Sequence, residues 1–144
     1  AGKSWKNDFS YYKKIIDKYN LSQHIILHNN FIPHNDVKYY YSAADLVVLP
    51  YKKIYQSGVL MMTLSYQKPA LVSDLDPLNE IIEDGINGFV FKSEDQDSLF
   101  NKLDNIFSDK YDMKQINLNA NLKIKNEFDW TNIGRLTKKA YQTL

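Results

Sequence analysis

Gln56-Ser57-Gly58 is the segment best suited to chemistry in this sequence, because it opens the strongly apolar stretch Val59 to Tyr66. A polar residue and a glycine at a helix start leave backbone N–H groups unpaired, and the helix dipole adds roughly half a positive charge there. Gly58 has no Cβ, so an anion can approach closely. A phosphate or pyrophosphate is the natural ligand for the N–H groups of residues such as Gly58 and Val59. Lys52 and Lys53 lie just upstream and would supplement the charge. The plain alternative is that Ser57 is an ordinary N-cap and the lysines are solvated.

Asp74, Asp76 and Glu80 form a second polar group. Oxygen ligation of a metal is one reading, and helix capping by Asp76 is the simpler one. His24, His28 and His34 are too scattered to read as a metal set. The sequence contains no Gly-x-Ser-x-Gly, Walker loop or His-Glu-x-x-His. A receiver-type phosphorylation domain needs an acidic residue ending a central strand, whereas Asp45 begins one.

The 144 residues amount to about one domain, enough to bury a core. With 18 basic and 17 acidic side chains, the net charge of +1 makes no electrostatic case for nucleic acid. Disulfide scaffolds and thiolate metal sites are excluded by the absence of Cys. The apolar runs fall far short of the roughly 18–20 residues that span a bilayer, and no secretory signal opens the chain. The first residue is Ala1 rather than Met, as in a processed or excised piece. Lys, Asn, Ile and Tyr abound against a single Arg, a bias toward A/T-rich codons that cautions against over-reading the lysines.

These residues need elements to position them, and helical and strand patterns alternate as in an α/β fold. Asp8 is placed to cap a first helix carrying Phe9, Tyr12, Ile16 and Tyr19, with Asn20 at its end. His24–Leu27 reads as a short buried strand. Asn35 is a candidate N-cap for a helix with Val37, Tyr40 and Tyr41. The best strand is Asp45–Pro50, nearly all apolar as a parallel central strand should be. Ala70–Val72 and Phe89–Phe91 are further strands. Asp76-Pro77 reads as N-cap and first helical residue of a helix running through Ile82 to a stop at Asp84-Gly85. Ser93–Gln96 reads as a capping box before a helix with Leu99, Phe100, Leu103, Ile106 and Phe107 on one face. Two more helices fill Tyr111–Leu144, broken near Phe128-Asp129. In such a sheet, ligands bind beyond the C-terminal ends of the strands, which ranks the loops at 28–31, 50–53, 73–76 and 92–93.

The order of segments resembles glycosyltransferase family 4. Ala43–Pro50 is similar to its "aaDvfvlPS" strand, and Gly58–Leu60 through Gln67–Asp74 to "fGlvllEAmacGkPVvasd". Asn79–Phe91 resembles "pEiiedGenGllv", Phe128-Asp129-Trp130-Thr131 resembles "FsW", and His34–Val37 with Tyr40-Tyr41 resembles "vpdeelpalY". The likeness runs from Gly2 to Tyr141. It implies a Rossmann-like parallel sheet flanked by helices, the C-terminal half of a two-domain GT-B enzyme that lacks its first strands. Residues 1–144 would then be a partial nucleotide-sugar-binding domain. The resemblance implies a retaining transfer of sugar from a nucleotide diphosphate donor, a UDP- or GDP-sugar, with no metal and no resident cofactor.

By the same resemblance, the N–H groups at Gln56, Ser57, Gly58 and Val59 would hold the donor diphosphate. Thr63 would face the ribose, and the backbone at Asn30, Phe31 and Ile32 would lie beside the base. Glu80 is a candidate to orient or contact the donor sugar, with an ordinary role as a helix residue near the strand end as the alternative. The resemblance names no catalytic residue in this chain, and the catalytic His that many members carry would lie in the missing acceptor domain. Two departures stand out. The family's glutamate pair across this loop and helix is Tyr55 and Thr63 here, and the leading strands, with the basic pair that contacts the diphosphate, are missing. The expected role is donor binding in bacterial surface polysaccharide or lipopolysaccharide synthesis, with a glycan or lipid-linked acceptor held by a missing N-terminal domain. The expected location is the cytoplasm, with attachment at the inner face of the membrane through that domain. An unpaired strand edge at His24–Leu27 would offer a route to a homo-oligomer. A non-catalytic interaction module and a nucleotide-sugar epimerase-like domain are the alternatives.

Overall fold

The structure is a computed structural model that describes residues 1–4, 8–108 and 110–143. Leu144, the end of the last expected helix, lies outside the described residues. The chain divides into two units, Ala1–Ala43 and Ala44–Leu144, and each is described in its own terms.

The first unit carries helix α1 (Ser10–Lys18) and helix α2 (His34–Ala43). The Asp8 carboxylate accepts the Ser10 N–H at 2.9 Å and also the Ser10 hydroxyl. These two bonds hold its pKa below the usual carboxylate value. Asn20 ends α1 in the left-handed region at φ 54°, which Asn tolerates better than most residues. Helix α2 starts at His34, so Asn35 lies inside its first turn rather than capping it.

The strand expected at His24–Leu27 does not form in this unit. The segment is irregular, and Ile26 is 86 % exposed. Its apolar residues fit a buried strand, but a strand needs a neighbour's N–H and C=O groups. Among the described residues of this unit, no ladder partner reaches 24–27. The nearest such bond, from Gly2 N–H to the His28 carbonyl at 2.9 Å, lies just beyond it.

The second unit contains β1 (Val47–Leu49), α3 (Gly58–Ser65), β2 (Ala70–Ser73), α4 (Asp76–Asn79), β3 (Phe89–Phe91), α5 (Gln96–Phe107), α6 (Met113–Glu127) and α7 (Trp130–Gln142). The three strands form a parallel sheet in the order β1-β2-β3, with Val48 opposite Leu71 and Leu71 opposite Phe89. Alternation along β2 sends Ala70 and Val72 to one core and Leu71 to another. The first core includes Leu60 and Leu64 of α3, Leu78, Ile82 and Ala120 of α6. The second includes Phe89, Phe91, Ile106 of α5 and Ile116 of α6. Helix α6 therefore contributes to both.

Local chemistry explains where elements begin and end. Ser57 caps α3 by accepting the Leu60 N–H at 3.1 Å. Gln67 closes that helix in the left-handed region at φ 55°, where the N–H of Lys68 reaches the Thr63 carbonyl at 3.1 Å. Helix α4 is shorter than expected. The Asn87 side chain donates to the Ile81 carbonyl at 2.9 Å and accepts the Glu83 N–H at 2.7 Å, which draws this backbone off a helical path. The N-cap of α4 is Leu75, so Asp76 and Pro77 both sit in the first turn. A Cβ on Gly88 would lie 3.0 Å from the Ala70 carbonyl oxygen and from Ile82 methyls, so the turn before β3 needs glycine. Helix α5 is capped by Asp95, not by Ser93. The Ser98 N–H that Asp95 accepts at 2.9 Å is the main cause holding its carboxyl below the usual value. Asp112 and Asp129 cap α6 and α7, and the break between those helices falls at Phe128-Asp129 as expected.

Candidate functional site

The C-terminal ends of the three parallel strands are laced together by their loops. Ser93 N–H donates to Asp74 at 2.6 Å, and the Ser93 hydroxyl donates to the Tyr51 carbonyl at 3.3 Å. Lys52 pairs with Glu94 at 2.7 Å. These contacts fix the loop that leads from β1 into α3. A cavity of about 240 Å³ lies among them, lined by Pro50, Tyr51, Ser73 and Gln96.

A larger cavity of about 670 Å³ adjoins the start of α3. Tyr55, Gln56, Ser57 and Gly58 form one wall, and Pro77, Glu80 and Ile81 form another. Glu127 and Phe128, at the end of α6, complete it. The volume falls in the range of small-molecule sites, roughly 300–1,000 Å³.

The chemistry of this cavity follows from how α3 begins. Ser57 is only 8 % exposed, and its hydroxyl oxygen is engaged by the Leu60 N–H. The plain N-cap reading of Ser57 is therefore correct for its side chain. The N–H groups of Gly58 and Val59, in the first turn, have no carbonyl within the helix to bond. Gly58 faces open space, with no atom within 4 Å of where a Cβ would stand. An anion can reach these N–H groups directly.

The residues singled out from the sequence divide into three groups. Gln56, Ser57, Gly58 and Glu80 line one cavity, and exposed Val59 shares the first turn of α3. Thr63 does not join them. It is fully buried, and its hydroxyl donates to the Val59 carbonyl at 2.7 Å, so no exposed hydroxyl is left for a ribose. The reason is helical period: Thr63 follows Gly58 by more than a full turn and falls on the face packed into the core. Phe31 and Ile32 belong to the first unit. The Phe31 side chain is 74 % exposed, and its carbonyl accepts the Asn30 side-chain N–H at 3.1 Å.

The supplementary charge expected from Lys52 and Lys53 is not in the cavity wall. Lys52 is on Glu94, and the Lys53 ammonium stands 5.8 Å from the centre of the Tyr55 ring. Among the described residues, no group of three or more His, Cys, Asp or Glu side chains is placed to hold a metal ion. Glu127 and Phe128 were not legible as site residues. They reach the cavity because α6 packs along α3, a contact that no local motif encodes.

The burial of Thr63 makes a specific expectation. Thr63→Val should leave nucleotide affinity within about twofold of the parent and lower stability by about 1 kcal/mol, from one lost hydrogen bond. Titration calorimetry and urea unfolding check the two halves. A large loss of affinity at unchanged stability would return Thr63 to the ligand.

Comparison with known proteins gives this geometry a context. The chain matches the family described as glycosyl transferases group 1 over residues 1–139. It is 27 % identical over 122 residues to an uncharacterized glycosyltransferase, MJ1607, of Methanocaldococcus jannaschii, covering 83 % of this chain and 31 % of that protein. Among solved structures, Anabaena Alr3699/HepE in complex with UDP superposes with a TM-score of 0.84 at 20 % identity, over 99 % of this chain and 40 % of that one. Sucrose-phosphate synthase from Thermosynechococcus elongatus gives 0.81 at 18 % identity, over 100 % and 38 %. The chain thus spans about a third of the curated relative's length and about two-fifths of these structures. Among the described residues, no helix is long and apolar enough to cross a membrane.

Proposed function

This chain belongs to the glycosyl transferases group 1 family and has the fold of GT-B C-terminal domains; from that premise we propose that it binds the nucleotide-diphosphate-sugar donor of a retaining glycosyltransferase. The observation that carries this is the cavity lined both by the start of α3, at Gln56, Ser57 and Gly58, and by Glu80. In sugar transfer, the bond between the anomeric carbon and the diphosphate oxygen breaks, and negative charge grows on the leaving diphosphate. N–H groups at Gly58 and Val59 are fixed in place before the reaction, so they stabilise that charge without reorganising. Glu80 accepts hydrogen bonds from sugar hydroxyls. Structures of HepE hold UDP and UDP-glucose, which supports a UDP-sugar as the donor here.

A hexosyl donor, an acceptor of glycan or lipid-linked type and a role in bacterial surface polysaccharide synthesis complete the reading. The acceptor site and the catalytic group would come from a further domain, as the partial coverage of relatives supports.

Calorimetric titration of the full chain with UDP, GDP and ADP tests the proposal, with Gly58→Ala as the probe. The added methyl meets no protein atom within 4 Å, so stability should hold. The methyl would occupy space over the helix start, and affinity should fall about tenfold. Equal affinity for Gly58→Ala and the parent would remove the diphosphate from this helix. A folded protein that binds none of the nucleotides would favour the interaction-module reading.

A further inference from the structure

We propose, resting on the donor site above, that the cavity selects a neutral or amino sugar and rejects a uronic acid. Its lining combines two kinds of group. The start of α3 contributes N–H groups and the positive end of the helix dipole, which suit the diphosphate. Glu80 from the end of α4 and Glu127 from the end of α6 also line it, with Ile81 and Phe128. Among the described residues, these are the charged side chains that line the cavity, and no Lys or Arg does.

The nearby cations already have partners, two of which are residues of the cavity wall. Lys52 is paired with Glu94, and Lys53 stands over the Tyr55 ring. Lys123 pairs with Glu127 at 2.9 Å and tempers its charge, but half of the Glu127 side chain stays exposed. Glu80 has no ion pair among the described residues.

A donor whose phosphates sit on α3 extends its sugar toward these acids. An ionised carboxylate accepts hydrogen bonds and donates none. A hydroxyl or an ammonium group on the sugar meets it with a charge-assisted bond. A carboxylate on the sugar has no proton to give and meets like charge in a partly enclosed space, which is how a site discriminates by repulsion. Ile81 and Phe128 offer an apolar surface to the carbon face of the ring, whatever its charge.

The test compares matched donors on the full chain by titration calorimetry: UDP, UDP-glucose, UDP-glucosamine and UDP-glucuronate, with GDP, GDP-mannose and GDP-mannuronate in parallel. UDP-glucuronate, or GDP-mannuronate if guanosine is the base, should bind at least about tenfold more weakly than its neutral counterpart. Glu80→Gln keeps the shape and removes the charge, and should narrow that gap at least about threefold; Glu127→Gln should narrow it less, because Lys123 already offsets its charge. Thermal melts of both variants control for folding. Equal or tighter binding of the uronate by the parent protein overturns the proposal, as does a gap that neither variant moves. Failure of the parent to bind UDP and GDP overturns the donor site itself, and this inference with it. Binding of nucleotide without sugar discrimination overturns the selectivity alone.

Discussion

Ser57→Asp is expected to leave the protein folded and to weaken nucleotide diphosphate binding by about a hundredfold. Aspartate is as good an N-cap as serine, and its carboxylate can accept the Leu60 N–H that Ser57 accepts now. A negative charge also suits a helix N-terminus, so the melting temperature should hold or rise. The same charge stands one residue from the Gly58 N–H, where the diphosphate would bind. Two like charges about 5 Å apart, with an effective dielectric near 20, repel by about 3 kcal/mol. Ser57→Ala makes the complementary control. It loses the cap, for about 1 kcal/mol of stability, but adds no charge, so affinity should change little. Calorimetric titration with UDP and GDP, alongside thermal melts, reads both effects. Unchanged affinity in Ser57→Asp would mean that no phosphate sits on this helix.

The largest expected loss of stability is at Phe89, on the other side of the sheet. Phe89 is fully buried between Leu71, Ile106 and Ile116, with the Tyr111 ring edge-on at 4.9 Å. Phe89→Ala removes the ring and leaves a cavity that the strand on one side cannot collapse into. The destabilisation should be about 3–5 kcal/mol, a fall in melting temperature of about 10 °C or more. Leu60 and Leu64 of α3, whose start lines the larger cavity, belong with Leu78 and Ile82 to the opposite core. Below its melting transition, Phe89→Ala should therefore bind nucleotide as the parent does. Loss of binding in a demonstrably folded sample would show that the two cores act as one.

Much of the fold was legible because its signals are local. The apolar run ending at Pro50, the polar start at Ser57 and the break at Phe128-Asp129 each state an element or its end. Where a boundary moved, a longer-range contact moved it. The helix expected through Ile82 stops at Asn79, where the Asn87 side chain takes over the backbone groups of Ile81 and Glu83. His24–Leu27 has the composition of a strand, but pairing is a property of two segments, and no partner meets it in its own unit.

The site divides in the same way. By itself, the sequence determined the α/β class, the helix start at Gln56-Ser57-Gly58 and the resemblance that led to a glycosyl transferase. Each of these depends on residue type and near-neighbour spacing, which a linear chain displays directly. Tertiary structure alone decided that the Ser57 hydroxyl belongs to its helix while the following N–H groups stay open. It also buried Thr63 and brought Glu127 and Phe128 from the end of α6 into the cavity of about 670 Å³ that Glu80 lines. Those outcomes depend on which face of α3 packs inward and on α6 lying along it. Such packing minimises exposed apolar surface over the whole unit, so no short stretch of sequence records its result.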